Sequence, residues 1–517
     1  MSEHRVINPW LIAISVMLGT FMEVLDTTVV NVSLPHIAGS LGATVDEATW
    51  VLTSYLVANA IILPMTGWLA NRFGRKRILM ISIGGFTIAS VMCGLAPNLP
   101  ILLLFRVLQG ATGGGLQPLS QAIMLEAFPA SKRGKAMAFW GLGIVVAPML
   151  GPVLGGWLTD TYSWRWLFYI NVPVGILGLI MSEVFVFDPA YIKKIAAKVD
   201  YWGIGLLAVG MGALQIMLDK GQEDDWFSSH FIVSCAVVSV IGLAVFLGRE
   251  FTVEHPILDL RLLARGNVGM TMLIMFLVGV SLYSTTVLVP QFLQEIMGYS
   301  ARQAGMAIST GGLVLLLMFP VAGALAPKLD ARWLVSLGFV ITAIGLWRMT
   351  ELSLTVSFGM AVSWRAFIAI GLPFLFIPIN MLCYTGVPQE KYNDVSGMSA
   401  LMRNLGGSFG ISLVTTLLAR SSQHHLTALV AHTTPGNRSF EAIRNGLAAA
   451  WMQRGGGAMP DAMLRANAQV FGMAQIQARL LAYVDVIWMM VALTVLLVPL
   501  PFLMQKAKKG QGVSVGH

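Results

Sequence analysis

Long apolar runs separated by short polar turns occupy the chain almost from end to end. Runs close to the roughly twenty residues that a helix needs to cross a bilayer fall at about 9–33, 48–70, 78–96, 99–125, 136–158, 165–187, 201–218 and 231–248. Six more follow at about 267–290, 303–326, 333–350, 360–385, 397–419 and 480–503. Together they predict an all-α membrane protein of fourteen transmembrane helices, numbered here as spans one to fourteen. The first run is longer than a signal-peptide core, carries Glu23 and Asp26, and is followed by further spans rather than a soluble domain. It therefore reads as span one and not as a leader.

A segment repeats within this pattern. Gly67-Trp-Leu-Ala-Asn-Arg-Phe-Gly-Arg-Lys-Arg77, the turn after span two, returns in worn form as Gly323-Ala-Leu-Ala-Pro-Lys-Leu-Asp-Ala-Arg332, the turn after span ten. The same shift superposes Gly42 on Gly298, Pro64 on Pro320, Leu69 on Leu325 and Ala70 on Ala326. The repeat divides the chain into a six-helix half over 1–190, two inserted spans over 191–262 and a second six-helix half over 263–517. Two similar halves in a membrane usually hold a substrate cavity between them, so the chain reads as a transporter.

Composition agrees with a lipid environment. The chain is 56% hydrophobic and 11% charged, against roughly 25% charged residues in a soluble domain, and a soluble fold of this length cannot hide so much apolar surface. The net charge of +8 comes from short Lys/Arg clusters between apolar runs, which suits loops beside an anionic leaflet and not a nucleic-acid partner. Cys93, Cys235 and Cys383 lie inside apolar segments without disulfide or metal spacing.

The clusters orient the chain. Arg72/Arg75/Lys76/Arg77, Lys132/Arg133/Lys135, Lys193/Lys194/Lys198, Arg249/Arg261/Arg265, Lys328/Arg332 and Lys506/Lys508/Lys509 fall on one side. The opposite loops carry mostly acids, among them Asp46, Glu47, Asp160, Asp219, Glu223, Asp224, Asp225, Glu295 and Glu351. The positive-inside rule then places both termini in the cytoplasm. On the other side the segment 421–478 is far longer than its neighbours and contains a helix-like run, Phe440–Trp451, with Phe440, Ile443, Leu447 and Trp451 as an apolar stripe. It is expected to be a long periplasmic loop that either docks a partner protein or caps the transporter. Its His424, His425 and His432 are open to metal binding but read more simply as solvated side chains.

Most charges within spans lie near an end; Glu183, Arg348, Arg365, Arg403 and Asp485 are each placed within reach of a loop, where the longer ones can snorkel. Glu23, Asp26 and Arg106 remain deep. A charge in the bilayer costs at least roughly 2.5–3.5 kcal/mol, so these three are the candidate proton-coupling residues, with Asp26 expected to be the principal carrier and Glu23 to assist it. Asp26 sits roughly 12 Å below the outer end of span one and Arg106 roughly 10 Å below the same surface on span four, while Glu23 is one turn deeper than Asp26 on nearly the same face. A carboxylate facing a guanidinium, with a second acid beside it, is either a proton switch or a static pin between spans one and four. Gln109, Asn31 and Asn380, amides within spans, are candidate cavity residues. On span five Ala147, Gly151 and Gly155 recur every four residues as a close-contact face, with Pro148, Pro152 and Gly156 beside them. Packing alone explains these residues, and so does a helix that must hinge. Gly110–Gly115 lacks the Lys-Ser/Thr ending of a phosphate loop, and no catalytic motif is present, so the chain is not expected to be an enzyme or to hold a cofactor or metal.

These residues resemble the major facilitator superfamily. Segment 67–77 is similar to its signature between spans two and three, Leu104-Phe-Arg106-Val-Leu-Gln109-Gly110 to its span-four motif, and Gly151-Pro152 through Gly155-Gly156 to the antiporter motif of span five. Leu25-Asp26-Thr-Thr-Val-Val-Asn31-Val-Ser-Leu-Pro35 resembles the span-one signature of the fourteen-spanner drug:proton antiporters. Thr49-Trp50-Val51, Trp164-Arg165-Trp166 through Asn171-Val-Pro173 and Leu214-Gln-Ile-Met-Leu-Asp219 bring the likeness nearest to the EmrB-type branch. The resemblance implies a major facilitator fold and export of hydrophobic drugs or amphiphiles across a bacterial inner membrane, driven by the proton gradient. It also implies a periplasmic adaptor (membrane fusion) protein and an outer-membrane channel as partners. A dedicated exporter of one metabolite, such as a fatty acid, siderophore or antibiotic, is the alternative. Gly67, Asn71, Arg72, Gly74, Arg75 and Lys76 would form the gate. Position 71 departs from the family, which usually has Asp there, so Asn71 would latch by a neutral hydrogen bond.

Overall fold

Helix caps and glycine turns set the ends of the apolar runs. The computed structural model describes residues 8–188 and 200–505, apart from 255, 435 and 454–457. Lys193, Lys194, Lys198, Lys506, Lys508, Lys509, Pro435 and the glycines Gly455, Gly456 and Gly457 lie outside the described residues. Spans one to seven are Pro9–Val32, Val45–Phe73, Arg75–Leu95, Leu99–Gly113 continued by Leu116–Ala127, Arg133–Thr161, Asn171–Phe185 and Tyr201–Lys220. Spans eight to fourteen are His230–Thr252, Val268–Gln291, Ala301–Leu325, Ala331–Met349, Phe358–Cys383, Tyr392–Val430 and Met459–Leu497.

The sequence repeat is a repeat of structure. Gly42 (φ 64°) and Gly298 (φ 69°) both take the left-handed conformation that favours glycine. Two residues later Thr44 and Ser300 each open a capping box with Glu47 and Gln303, starting spans two and ten. Pro64 and Pro320 then sit inside those two helices.

Thirteen described helices are long and apolar enough to cross a membrane, and span thirteen is not among them. It carries Asn393, Asp394, Arg403 and Asn404, and Asn393 and Arg403 are buried. It packs against spans two, nine and fourteen, so much of its surface meets protein and need not be apolar.

The expected loop at 421–478 is instead largely helical. Span thirteen continues to Val430, a separate helix covers Arg438–Gln453, and span fourteen begins at Met459. At 39 residues each, the two long helices reach roughly 58 Å, well beyond a hydrocarbon core about 30 Å thick. Hydropathy could not reveal their polar continuations. The helix Arg438–Gln453 lies on the extension of span fourteen: Ala448 is buried with Ala462 and Ala466, and Leu447 and Trp451 pack around them. Trp451 Nε1 donates to Gln469 Oε1 at 3.1 Å. Of the four residues in the expected apolar stripe, Ile443 alone is classed as exposed, at 50%. His425 contacts Asp485 at 2.7 Å.

Spans seven and eight form a pair that crosses where Gly210 meets Gly242. The Arg249 guanidinium, 2.8 Å from Asp200, holds that carboxyl below its ordinary range. Span seven lies against spans two and thirteen, with Gln215 Nε2 donating to Ser408 Oγ at 2.9 Å.

The halves meet through two equivalent crossings. Span two reaches span thirteen at Gly67, where a Cβ would lie 2.7 Å from Asp394 Cα, and span ten reaches span five at Gly323, 2.9 Å from Gly134 O. Gly323→Val would overpack that crossing, since even a Cβ meets Ala138 Cβ at 2.7 Å. Overpacking costs about 1–3 kcal/mol, so the melting temperature in detergent should fall by several degrees. Gly248→Ala, where a Cβ meets nothing within 4 Å, should leave it unchanged. An unaltered melt for Gly323→Val would mean that the crossing is loose.

Candidate functional site

Between the halves lies a cavity of about 390 Å³. The first half contributes Glu23, Thr27, Tyr55, Asn59, Gln117 and Met149 to its wall, the second half Leu282, Tyr283, Thr286, Arg365 and Phe376, and span seven contributes Gln215. Most of the wall is aliphatic or aromatic, which suits greasy molecules of varied shape.

One turn along span one, the two deep acids have different surroundings. Asp26 is fully buried and does not line the cavity. Its Oδ2 accepts from Arg106 NH1 at 2.5 Å, and its Oδ1 accepts from Gln109 Nε2 and Asn171 Nδ2, each at 2.9 Å. Arg106 in turn donates to Gln109 Oε1 at 2.8 Å and to Val51 O at 2.9 Å, with its guanidinium 4.3 Å from the Tyr55 ring centroid. Ser90 supports the cluster by accepting from Asn171 at 3.0 Å and donating to Phe168 O at 2.8 Å. Spans one, two, three, four and six thus converge on one ion pair. A proton on Asp26 would weaken three bonds at once, since all three donors lean on its negative charge.

Glu23 is part of the cavity wall, though itself buried. It accepts from Asn59 Nδ2 at 3.0 Å, while its Oε2 has no hydrogen-bond partner. That oxygen can take a proton without breaking a bond. Gln117 lies near enough to act on Glu23, and so does Arg403. Arg403 donates to Gln117 Oε1 and is stacked near Trp140 and Phe376, so it ties span thirteen to span four.

The other expected cavity residues lie elsewhere. Gln109 belongs to the Asp26 cluster, Asn31 is exposed on its helix, and Asn380 is bonded to Gln121 across the halves. None of the three is in the cavity wall. Conversely, Arg365 and Arg403, expected to snorkel, are 6% and 4% exposed. Both lie in apolar runs, but only packing shows that they point inward. Asn59, Gln117 and Asp394 carried no signal in the sequence beyond being polar residues near or within spans, and Asn171 figured only in a motif of the family resemblance.

On span five, Gly151 and Gly155 receive span one: a Cβ at Gly155 would lie 2.9 Å from Val29 O, and one at Gly151 would overlap Thr28. Pro148 lines the cavity. Gly156 faces open space, so it has no part in that contact, and the side chain of Pro152 lies outside the description.

The basic turn is heavily bonded. Gly74 has φ 96°, and a Cβ there would run into the Asp188 carboxylate. Asp188 accepts from Lys76 N at 2.8 Å. Lys76 also pairs with Glu183 at 3.2 Å, buried Arg75 pairs with Glu126, and Arg72 lies 5.6 Å from the Trp68 and Phe73 rings. Asn71 makes the contact between halves: its Nδ2 donates to Asp394 Oδ1 at 3.0 Å, and its Oδ1 accepts from Asn393 at 3.1 Å.

Removing one member of the buried pair should cost more than removing both. Arg106→Met leaves Asp26 with an uncompensated charge, a loss of about 3–5 kcal/mol. The double variant Asp26→Leu/Arg106→Met should recover most of that in a thermal melt. A double variant as unstable as the single one would show that the flanking hydrogen bonds, not the charge pair, hold the cluster.

Residues 16–411 match the family described as Major Facilitator Superfamily. The chain is 38% identical to the multidrug export protein EmrB of Escherichia coli K12 over 435 residues, 84% of this chain and 85% of that protein. It is 41% identical to the probable multidrug resistance protein EmrY of the same strain over 443 residues, with the same coverage. To the fatty acid resistance protein FarB of Neisseria gonorrhoeae it is 36% identical over 424 residues, 82% of this chain and 83% of that one. Among solved structures, the proton:xylose symporter XylE superposes with a TM-score of 0.57 at 16% identity, covering 91% of this chain and 94% of XylE. The human organic anion transporter MFSD10 superposes at 0.58 and 12% identity, covering 94% of this chain and 99% of that one. At these identities the two structures speak for the fold alone.

Proposed function

The chain belongs to the Major Facilitator Superfamily, and we propose that it exports hydrophobic drugs or amphiphiles across a bacterial inner membrane in exchange for protons. Its relatives over most of its length are multidrug export proteins. The observation that carries the coupling is the unequal environment of two acids one turn apart: Asp26 fixed by three donors away from the cavity wall, Glu23 within that wall and bonded by Asn59 through one oxygen.

In this reading Glu23 is the proton carrier, and the Asp26–Arg106 cluster is the rigid frame that holds span one and sets its field. Asp26 thus has a different part from the one expected of it as the principal carrier. A proton loaded from the outer side neutralises Glu23 and removes the cost of a charge in the cavity. Release to the cytoplasm restores the charge, and each unit of pH difference supplies about 1.36 kcal/mol per proton. The basic turns lie on the cytoplasmic side, with both termini. There the Asn71–Asp394 bond and the Gly134–Gly323 crossing hold the halves together, so moving the cavity's opening to that side requires breaking them. The second reading, a dedicated exporter of one metabolite, is supported by the identity with FarB.

Glu23→Gln keeps the volume and the bond from Asn59 but cannot carry a proton. Inverted vesicles containing it should accumulate ethidium at less than about a tenth of the wild-type rate under an imposed pH gradient, in line with the 10²–10⁴-fold effects typical of proton-transfer groups. A wild-type rate would refute the coupling assignment. The same assay over a panel of cationic, neutral and acidic amphiphiles separates broad export from a single substrate.

The helical extension of spans thirteen and fourteen, on the side opposite the basic turns, is the surface for a periplasmic adaptor that would lead to an outer-membrane channel. Its length beyond the bilayer and the exposed Ile443 support this. Deleting 437–453 should abolish drug resistance in cells and co-purification of the adaptor, while transport by the purified protein in vesicles stays within about twofold of wild type. Loss of vesicle transport would instead make the extension part of the transporter's own gate.

A further inference from the structure

The arginines that are deep in this molecule are accounted for, with one exception. Arg106 has Asp26, Arg75 has Glu126, and Arg403 has Gln117 and two aromatic rings. Arg365, about two turns into span twelve, is 6% exposed and lines the cavity. Its guanidinium has five N–H donors. Its protein contacts are two neutral hydroxyls at the limit of hydrogen bonding: NH1 to Thr285 Oγ1 at 3.4 Å and NH2 to Thr286 Oγ1 at 3.5 Å. Its Nε has no partner. Among the described residues no carboxylate forms an ion pair with it.

The side chain is nevertheless held in place. Span ten passes it at Gly311, where a Cβ would stand 3.1 Å from Arg365 Cγ and 3.3 Å from Nε, so the glycine leaves a slot through which the arginine reaches the cavity. A guanidinium that is buried, positioned and unpaired is a binding group without its ligand, because a buried charge is stable only when paired.

We propose that Arg365 is the anion-recognising residue of this cavity. It takes the carboxylate of an amphiphilic transported molecule whose apolar body lies along Leu282, Tyr283, Met149 and Phe319. A carboxylate matches the planar fork of arginine with two parallel bonds, and the surrounding wall is apolar. This inference rests on the exporter reading and narrows its substrate class to organic anions with a large apolar part.

The test is equilibrium binding to the purified full-length protein in maltoside detergent, using fluorescent pyrenebutyrate and its uncharged counterpart pyrenebutyramide. Wild type should bind the acid at least about tenfold more tightly than the amide, the low end for charge-assisted hydrogen bonds. Arg365→Gln and, as a second neutral variant, Arg365→Met should bring that ratio to about one. Two variants guard against a folding defect in either. No preference in wild type, a preference that survives both substitutions, or an equal loss of affinity for acid and amide would each overturn the proposal. So would displacement of the probe by phosphatidylglycerol as readily as by decanoate, which would assign the guanidinium to a lipid headgroup. Binding needs no proton gradient. Failure of gradient-driven transport in wild type across the whole panel of cationic, neutral and acidic amphiphiles would therefore count against the exporter reading alone, and loss of anion preference is scored without it.

Discussion

A charge inside a bilayer must find a partner, and much of the functional architecture here follows from how each buried charge finds one. Asp26 and Arg106 neutralise each other and draw Gln109, Asn171, Ser90 and the Val51 carbonyl around them. That cluster joins five spans of the first half at one depth, so these helices are positioned by electrostatics as much as by apolar contact. A hydrocarbon solvent offers no hydrophobic drive for helices to associate, which makes a shared polar centre an effective organiser.

Close backbone approach supplies the other constraint. Gly155 lets span one lie on span five, and the Gly67 and Gly323 crossings bring the halves together. The seam also carries discrete side-chain bonds, Asn71 to Asp394 and Asn393, Asn380 to Gln121 and Arg403 to Gln117. Two halves joined by close backbone contacts and a countable set of bonds suit rigid bodies that rock against each other around a central site.

The cavity lies along that seam and inherits its chemistry from both sides. Glu23 comes from the first half and Arg365 from the second, each with a hydrogen-bonding atom unpartnered. A buried polar atom without a partner calls for an explanation, and for these two the cavity offers one; Arg106 and Glu250 each keep such an atom away from the cavity wall.

Hydropathy marked the fourteen spans and the returning 67–77 motif marked the two-fold repeat, because each is a property of local sequence. The repeat paired Gly42 with Gly298, and both take the left-handed conformation. Depth counting also brought Asp26 level with Arg106, since a helix advances by a fixed rise per residue. Direction was beyond its reach. Arg365 and Arg403 read as residues near helix ends, and only packing turned them inward; Gln109 and Asn380 read as cavity groups, and only tertiary contacts gave them to Asp26 and Gln121. The segment 421–478 read as a loop because a helix that leaves the membrane loses its apolar signature while keeping its hydrogen bonds. What a side chain faces depends on neighbours distant in the chain, and that is the part only the tertiary structure decided.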